Sequence, residues 1–130
     1  MSQASDQSQS DQLSEFIEQV SHLRDKVTYL ESRVSALQQQ KIANERYAAM
    51  AHIRAHSYFA QLALQDAAVD NRQDGEFVTN ANTCIRFARN EAHKAVSDLE
   101  SSSNPKQLVE DWIDRCRVFF KEHGGFTVFR

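Results

Sequence analysis

The sequence predicts an all-α protein: a long N-terminal coiled-coil helix running into a small helical bundle of about three helices, with two copies joined as a homodimer. Three observations point there. An apolar repeat of period seven occupies residues 13–37. Only three Gly and one Pro occur in 130 residues, so long helices fit between them while a β-rich fold, which needs many turns, does not. Beyond residue 41 the apolar residues recur at helical rather than alternating spacing.

The elements follow in chain order. Residues 1–11, MSQASDQSQSD, are Ser, Gln and Asp without apolar periodicity. Such a segment buries too little surface to offset its ordering entropy, and it is expected to be disordered. Residues 12–41 form the coiled-coil dimerisation stem. Leu13, Val20, Val27 and Val34 share one heptad position, a, and Phe16, Leu23, Leu30 and Leu37 share the position three residues later, d. A stripe this narrow is a seam for another helix of similar shape, not the wider face that packs into a globular core. β-branched Val at a with Leu at d favours two parallel strands, in which Lys26 at g of one chain faces Glu31 at e of the other. Antiparallel pairing, a trimer, or packing of the seam on later helices of the same chain are the alternatives.

Residues 42–130 form the helical head. Lys41 and Asn44 occupy the next a and d positions, and polar seam residues fix register at a cost in stability. The seam is expected to end there. The apolar stripe restarts one residue late, at Ile42, Ala49, Ile53, Ala60, Leu64 and Ala67. A second stripe, Tyr47, Ala51, Tyr58, Leu62 and Val69, lies opposite, so this part of the helix is expected to be packed on both sides, by the chain's own later helices, with the partner subunit a further candidate. DNRQDGE at 70–76 supplies turn chemistry that ends the helix.

A second helix over about 76–101 places Phe77, Ala81, Cys84, Ile85, Ala88 and Ala92 on one face, continued by Ala95, Val96 and Leu99. Asn104 then reads as an N-cap, with Pro105 at the first helical position and Gln107 three residues after the cap. The last helix buries Leu108, Val109, Trp112, Ile113, Cys116, Phe119 and Phe120, and Gly124-Gly125 stops it. In the tail, Phe126, Val128 and Phe129 alternate. They either fold back on the bundle, the favoured reading, or form a hook that binds a partner.

Composition restricts function. With 15 Lys plus Arg against 18 Asp plus Glu, the net charge of -3 gives no bulk attraction to phosphate. The bases most suited to nucleic-acid contact, Arg86, Arg89, Lys94 and Arg117, are interspersed with acids, and the segment before the seam is acidic where a basic zipper needs cations. Two cysteines without a framework spacing suit a reducing cytoplasm. No apolar run reaches membrane-spanning length and the polar start lacks signal-peptide regions, so no membrane association is expected.

Catalytic groupings are sparse. His52 and His56 are spaced to share a metal ion, but two ligands do not complete a shell, and rim histidines are the simpler reading. Cys84 and Cys116 fall on apolar helix faces, where free cysteine packs as a small hydrophobe. No phosphate-binding Gly loop or serine-nucleophile motif occurs. The expectation is a non-enzymatic interaction protein without metal or cofactor, acting on an unidentified protein partner as an adaptor or stoichiometric inhibitor. A nucleic-acid-associated regulator that dimerises through the coiled coil is the alternative.

Overall fold

The computed structural model describes residues 2–129, with side chains described from Asp6 onward. Three α-helices follow in order: α1 (Ser2–Asp70), α2 (Gly75–Asp98) and α3 (Pro105–Glu122), with a 3-10 turn, Leu99–Ser101, closing α2. No strand occurs among the described residues. By internal packing the chain divides into two units, Met1–Lys41 and Ile42–Arg130.

The first unit is helical throughout its described residues. α1 begins at Ser2 and so includes the Ser/Gln/Asp segment for which composition predicts disorder. Its support is local: the Gln7 amide donates to the Asp11 carboxylate one turn on, at 3.4 Å, and no apolar side chain lies among the residues before Leu13 whose side chains are described. From Asp6 to Lys41 the side chains are exposed, Val20 alone being half-buried. Residues 38–44, where the sequence leaves a break open, are helical within α1.

The second unit holds the core, and among the described residues every buried one lies at or beyond Ala49. The first stripe of the sequence is its α1 contribution: Ile53, Ala60 and Leu64 are fully or almost fully buried, with Ala49 close behind. α2 brings Ala81, Cys84, Ile85, Ala88, Ala92 and Ala95, and its small alanine side chains let α1 approach closely enough for the Ser57 hydroxyl to donate to the Ala88 carbonyl at 3.2 Å. α3 brings Val109, Trp112, Cys116 and Phe120. Arg46 fastens the α2–α3 link from the side, its Nε and Nη2 donating to the Ser102 carbonyl at 3.0 and 2.8 Å.

The helix boundaries have identifiable causes. Asp74 caps α2 by accepting from the Phe77 N–H at 3.2 Å, and Asn104 caps α3 by accepting from the Gln107 N–H at 3.3 Å, with Pro105 at the first turn. α3 ends in two left-handed glycines, Gly124 (φ 135°) and Gly125 (φ 71°), which turn the chain so that the Phe126 N–H reaches the Phe120 carbonyl at 3.1 Å. The tail then lies on its own bundle. Phe126 meets Phe77 edge-on at 5.3 Å, and Phe129 stacks on Phe120 at 5.8 Å with its edge to Trp112 at 5.6 Å.

The expected covering of the second α1 stripe by the chain's own later helices is corrected. The second α1 stripe is not covered by the chain's later helices: Tyr47, Tyr58 and Val69 are 71%, 60% and 61% exposed, and Ala51 and Leu62 are also exposed. Both later helices pack on the Ile53 and Leu64 side of α1, so no element of this unit remains to cover the opposite side.

Candidate self-association face and neighbouring sites

Within the first unit the seam residues form the one large apolar feature. Leu13, Phe16, Leu23, Val27, Leu30, Val34 and Leu37 are each more than half exposed, and Val20 is half-buried. Ile17 and Tyr29 add to the exposed apolar area. Burying one such side chain is worth roughly 1.5–3 kcal/mol. An isolated helix in water gains little stability from propensity alone and depends on packing such a stripe.

The other residues singled out by sequence distribute as follows. Phe129 is buried against Trp112 and Phe120, with the His56 ring 6.1 Å away, while Phe126 and Val128 are half-buried. In the single chain the tail therefore packs on the core, with Phe129 as its buried residue. Among the four candidate bases, Lys94 lies 3.7 Å from Glu91 and Arg117 lies 3.6 Å from Asp114, both i,i+3 neighbours, while Arg89 contacts the Gln61 amide oxygen at 3.4 Å. Arg86 is exposed nearby on α2. Arg86 and Arg89, both on α2, line one shallow pocket, while Glu91 is shared between Lys94 and Arg115.

His52 and His56 are brought together, but face to face. Their rings stack at 4.1 Å with 19° between planes, an arrangement that sets the two faces against each other. Burial lowers the pKa of His56 below its ordinary value, and proximity to His52 lowers it further. No group of three or more His, Cys, Asp or Glu able to hold a metal ion occurs among the described residues.

Both cysteines are fully buried and unpaired. Burial pushes the Cys84 thiol up to about 11 and the Cys116 thiol up to about 12, the latter with Glu91 adding to the rise and Arg115 opposing it. A thiol in that state is a poor nucleophile. Cys84 Sγ instead lies 3.7 Å from the His123 carbonyl, at the turn that launches the tail. No described helix is long and apolar enough to cross a membrane.

Two features escape sequence reading. A groove of about 350 Å³ opens between α1 and α3, walled by Ala48, Ala49, Val109 and Ile113, with His52 and Lys106 at its sides. Phe59, 65% exposed and edge-on to Tyr58 at 6.1 Å, belongs to neither α1 stripe read from the sequence. Its exposure depends on which side of α1 the later helices occupy, and periodicity alone leaves that open.

The described residues are all-helical: the first unit carries extensive exposed apolar surface, and the second packs a three-helix core. No family model, no curated protein and no solved structure matches this chain.

Proposed function

We propose that this chain is a non-enzymatic homodimeric interaction protein. Two copies pair as a parallel coiled coil through Leu13, Phe16, Val20, Leu23, Val27, Leu30, Val34 and Leu37, and the helical heads engage another protein as an adaptor or stoichiometric inhibitor. The observation that carries this reading is the exposure of a heptad seam, with seven of its eight residues more than half accessible in the single chain. A stripe of that size needs a partner, and its pattern suits a copy of itself. The buried thiols with raised pKa support a structural rather than a nucleophilic role for cysteine, and being unpaired they fit a reducing cytoplasm.

The competing reading, a nucleic-acid-associated dimer, has less support because Lys94 and Arg117 each lie beside a carboxylate. Light scattering at tens of micromolar is expected to give twice the chain mass, and random duplex and single-stranded fragments are expected to show no salt-sensitive mobility shift. A monomer throughout that concentration range removes the seam from the account. A shift that weakens as salt rises favours the nucleic-acid reading.

A further inference from the structure

The seven-residue count that defines the seam does not end at Leu37. Counting on from Leu13 through Lys41 reaches Ala48, Ala55, Leu62 and Val69, and counting on from Phe16 through Asn44 reaches Ala51, Tyr58 and Gln65. Every one of these residues from 48 to 69 is exposed. The exposed large apolar residues of α1 beyond Lys41 are Tyr47, Tyr58, Phe59, Leu62 and Val69, and all fall at the a, d, e or g positions of that count. The buried residues of the same stretch, Ala49, Ile53, Ser57, Ala60 and Leu64, all fall at b, c or f. The chain's own core thus uses one side of residues 42–70 and leaves uncovered the side on which the continued a and d count falls, a count in which Lys41 and Asn44 occupy single polar positions.

We propose that a second copy of this chain, parallel and in register, covers this face over residues 48–69, with Tyr47 of each copy seated in the α1–α3 groove of the other. This rests on the homodimer reading above and extends it from residues 13–37 into the head.

Three observations favour this occupant. Parallel pairing sets g of one chain against e five residues on in the other, giving Gln40–Glu45, Tyr47–His52, Arg54–Phe59 and Gln61–Asp66. None joins like charges, and Arg54 over the exposed Phe59 ring is a cation–π pair. His52 is itself a wall of the groove, so the residue that pairs with it, Tyr47 at 71% exposure, is delivered to the groove mouth. The groove offers apolar walls to the ring and Lys106 and Glu110 to the hydroxyl. The small side chains of Ala48, Ala51 and Ala55 let two helices approach closely enough for that reach.

Single cysteines placed in the full chain test the register. Leu30→Cys reports the seam, Ala51→Cys reports the head face at d, and Ala63→Cys, exposed at b, is the control. Cys84 and Cys116 are buried, so unsubstituted protein treated with oxidised glutathione is expected to stay uncrosslinked on a non-reducing gel. Efficient linking of both Leu30→Cys and Ala51→Cys, with little for Ala63→Cys, is the expected result. If Leu30→Cys links while Ala51→Cys links no better than the control, the head face is not paired and the proposal fails, although the seam dimer stands. If neither links and the protein is monomeric by sedimentation, both readings fall. Tyr47→Ala, checked for unchanged helix content, is expected to raise the dimer dissociation constant by about tenfold or more. An unchanged constant removes Tyr47 from the groove.

Discussion

His56 is the described histidine whose protonation the fold opposes. Its half-buried ring stacks on His52 at 4.1 Å and approaches Phe129 at 6.1 Å, and burial followed by the neighbouring imidazole lowers its pKa. The sign of the consequence follows from linkage. The unfolded chain takes up the proton near the ordinary value of 6.5 while the folded chain resists, so stability is unaffected above that pH and falls as pH drops through and below it. Thermal midpoints followed by fluorescence of the single tryptophan, Trp112, are expected to fall more between neutral pH and pH ~5 in the natural protein than in His56→Gln. Equal falls would show that His56 carries no such penalty. The i,i+4 spacing makes the His pair legible in the sequence, but its proximity to Phe129 is not, because no repeat encodes where the tail docks.

At the scale of elements, the boundaries are the most legible part of the chain because they depend on local chemistry. Asn104, Pro105 and Gln107 announce the start of α3, and the structure shows that cap with the Gln107 N–H on the Asn104 side chain. The buried faces of α2 and α3 likewise follow from apolar spacing: Ala81, Cys84, Ile85 and Ala88 are buried as expected, as are Val109, Trp112 and Cys116. What spacing could not supply is the side of α1 that the other helices choose, since Ile53 and Tyr58 belong to stripes of comparable apolar content and only tertiary packing separates them. The glycine pair after α3 gives a sharper test of element ends. A Cβ at Gly124 (φ +135°) meets the Phe126 ring at 2.5 Å, whereas at Gly125 (φ +71°) it meets nothing within 4 Å. Both alanine variants incur left-handed backbone strain of roughly 1 kcal/mol or more. Gly124→Ala also displaces Phe126 from Phe77, so its thermal midpoint is expected to lie clearly below that of Gly125→Ala, and the reverse order would show that the tail is not held by this turn. Asn104→Ala, which removes only the cap, is expected to cost about 1 kcal/mol in denaturant titration.

For the whole molecule, the seam and the core call on different residues. Among the described residues the buried core begins at Ala49, and the proposed seam uses residues 13–37, so substitutions in that seam leave every core residue unchanged. The heptad character of 13–37 is legible because a and d recur without exception, but a lone chain leaves open what covers them, and burial in one copy cannot answer a question about two. The double variant Leu23→Lys with Leu30→Lys would put four ammonium groups into the proposed dimer seam. Losing four buried leucines removes about 6 kcal/mol or more of favourable burial, and crowded like charges add to the loss. That corresponds to a dissociation constant raised by roughly four orders of magnitude. Light scattering at concentrations where the natural protein is dimeric is therefore expected to give the mass of one chain. Trp112, fully buried within the head, is expected to keep a blue-shifted emission in the same sample, because it is packed in the core that begins at Ala49, with its ring against Phe129. A variant that stays dimeric places the principal association surface elsewhere. One that becomes monomeric and exposes Trp112 shows instead that the head needs its second copy to fold, the outcome expected if pairing through residues 48–69 supplies much of its stability.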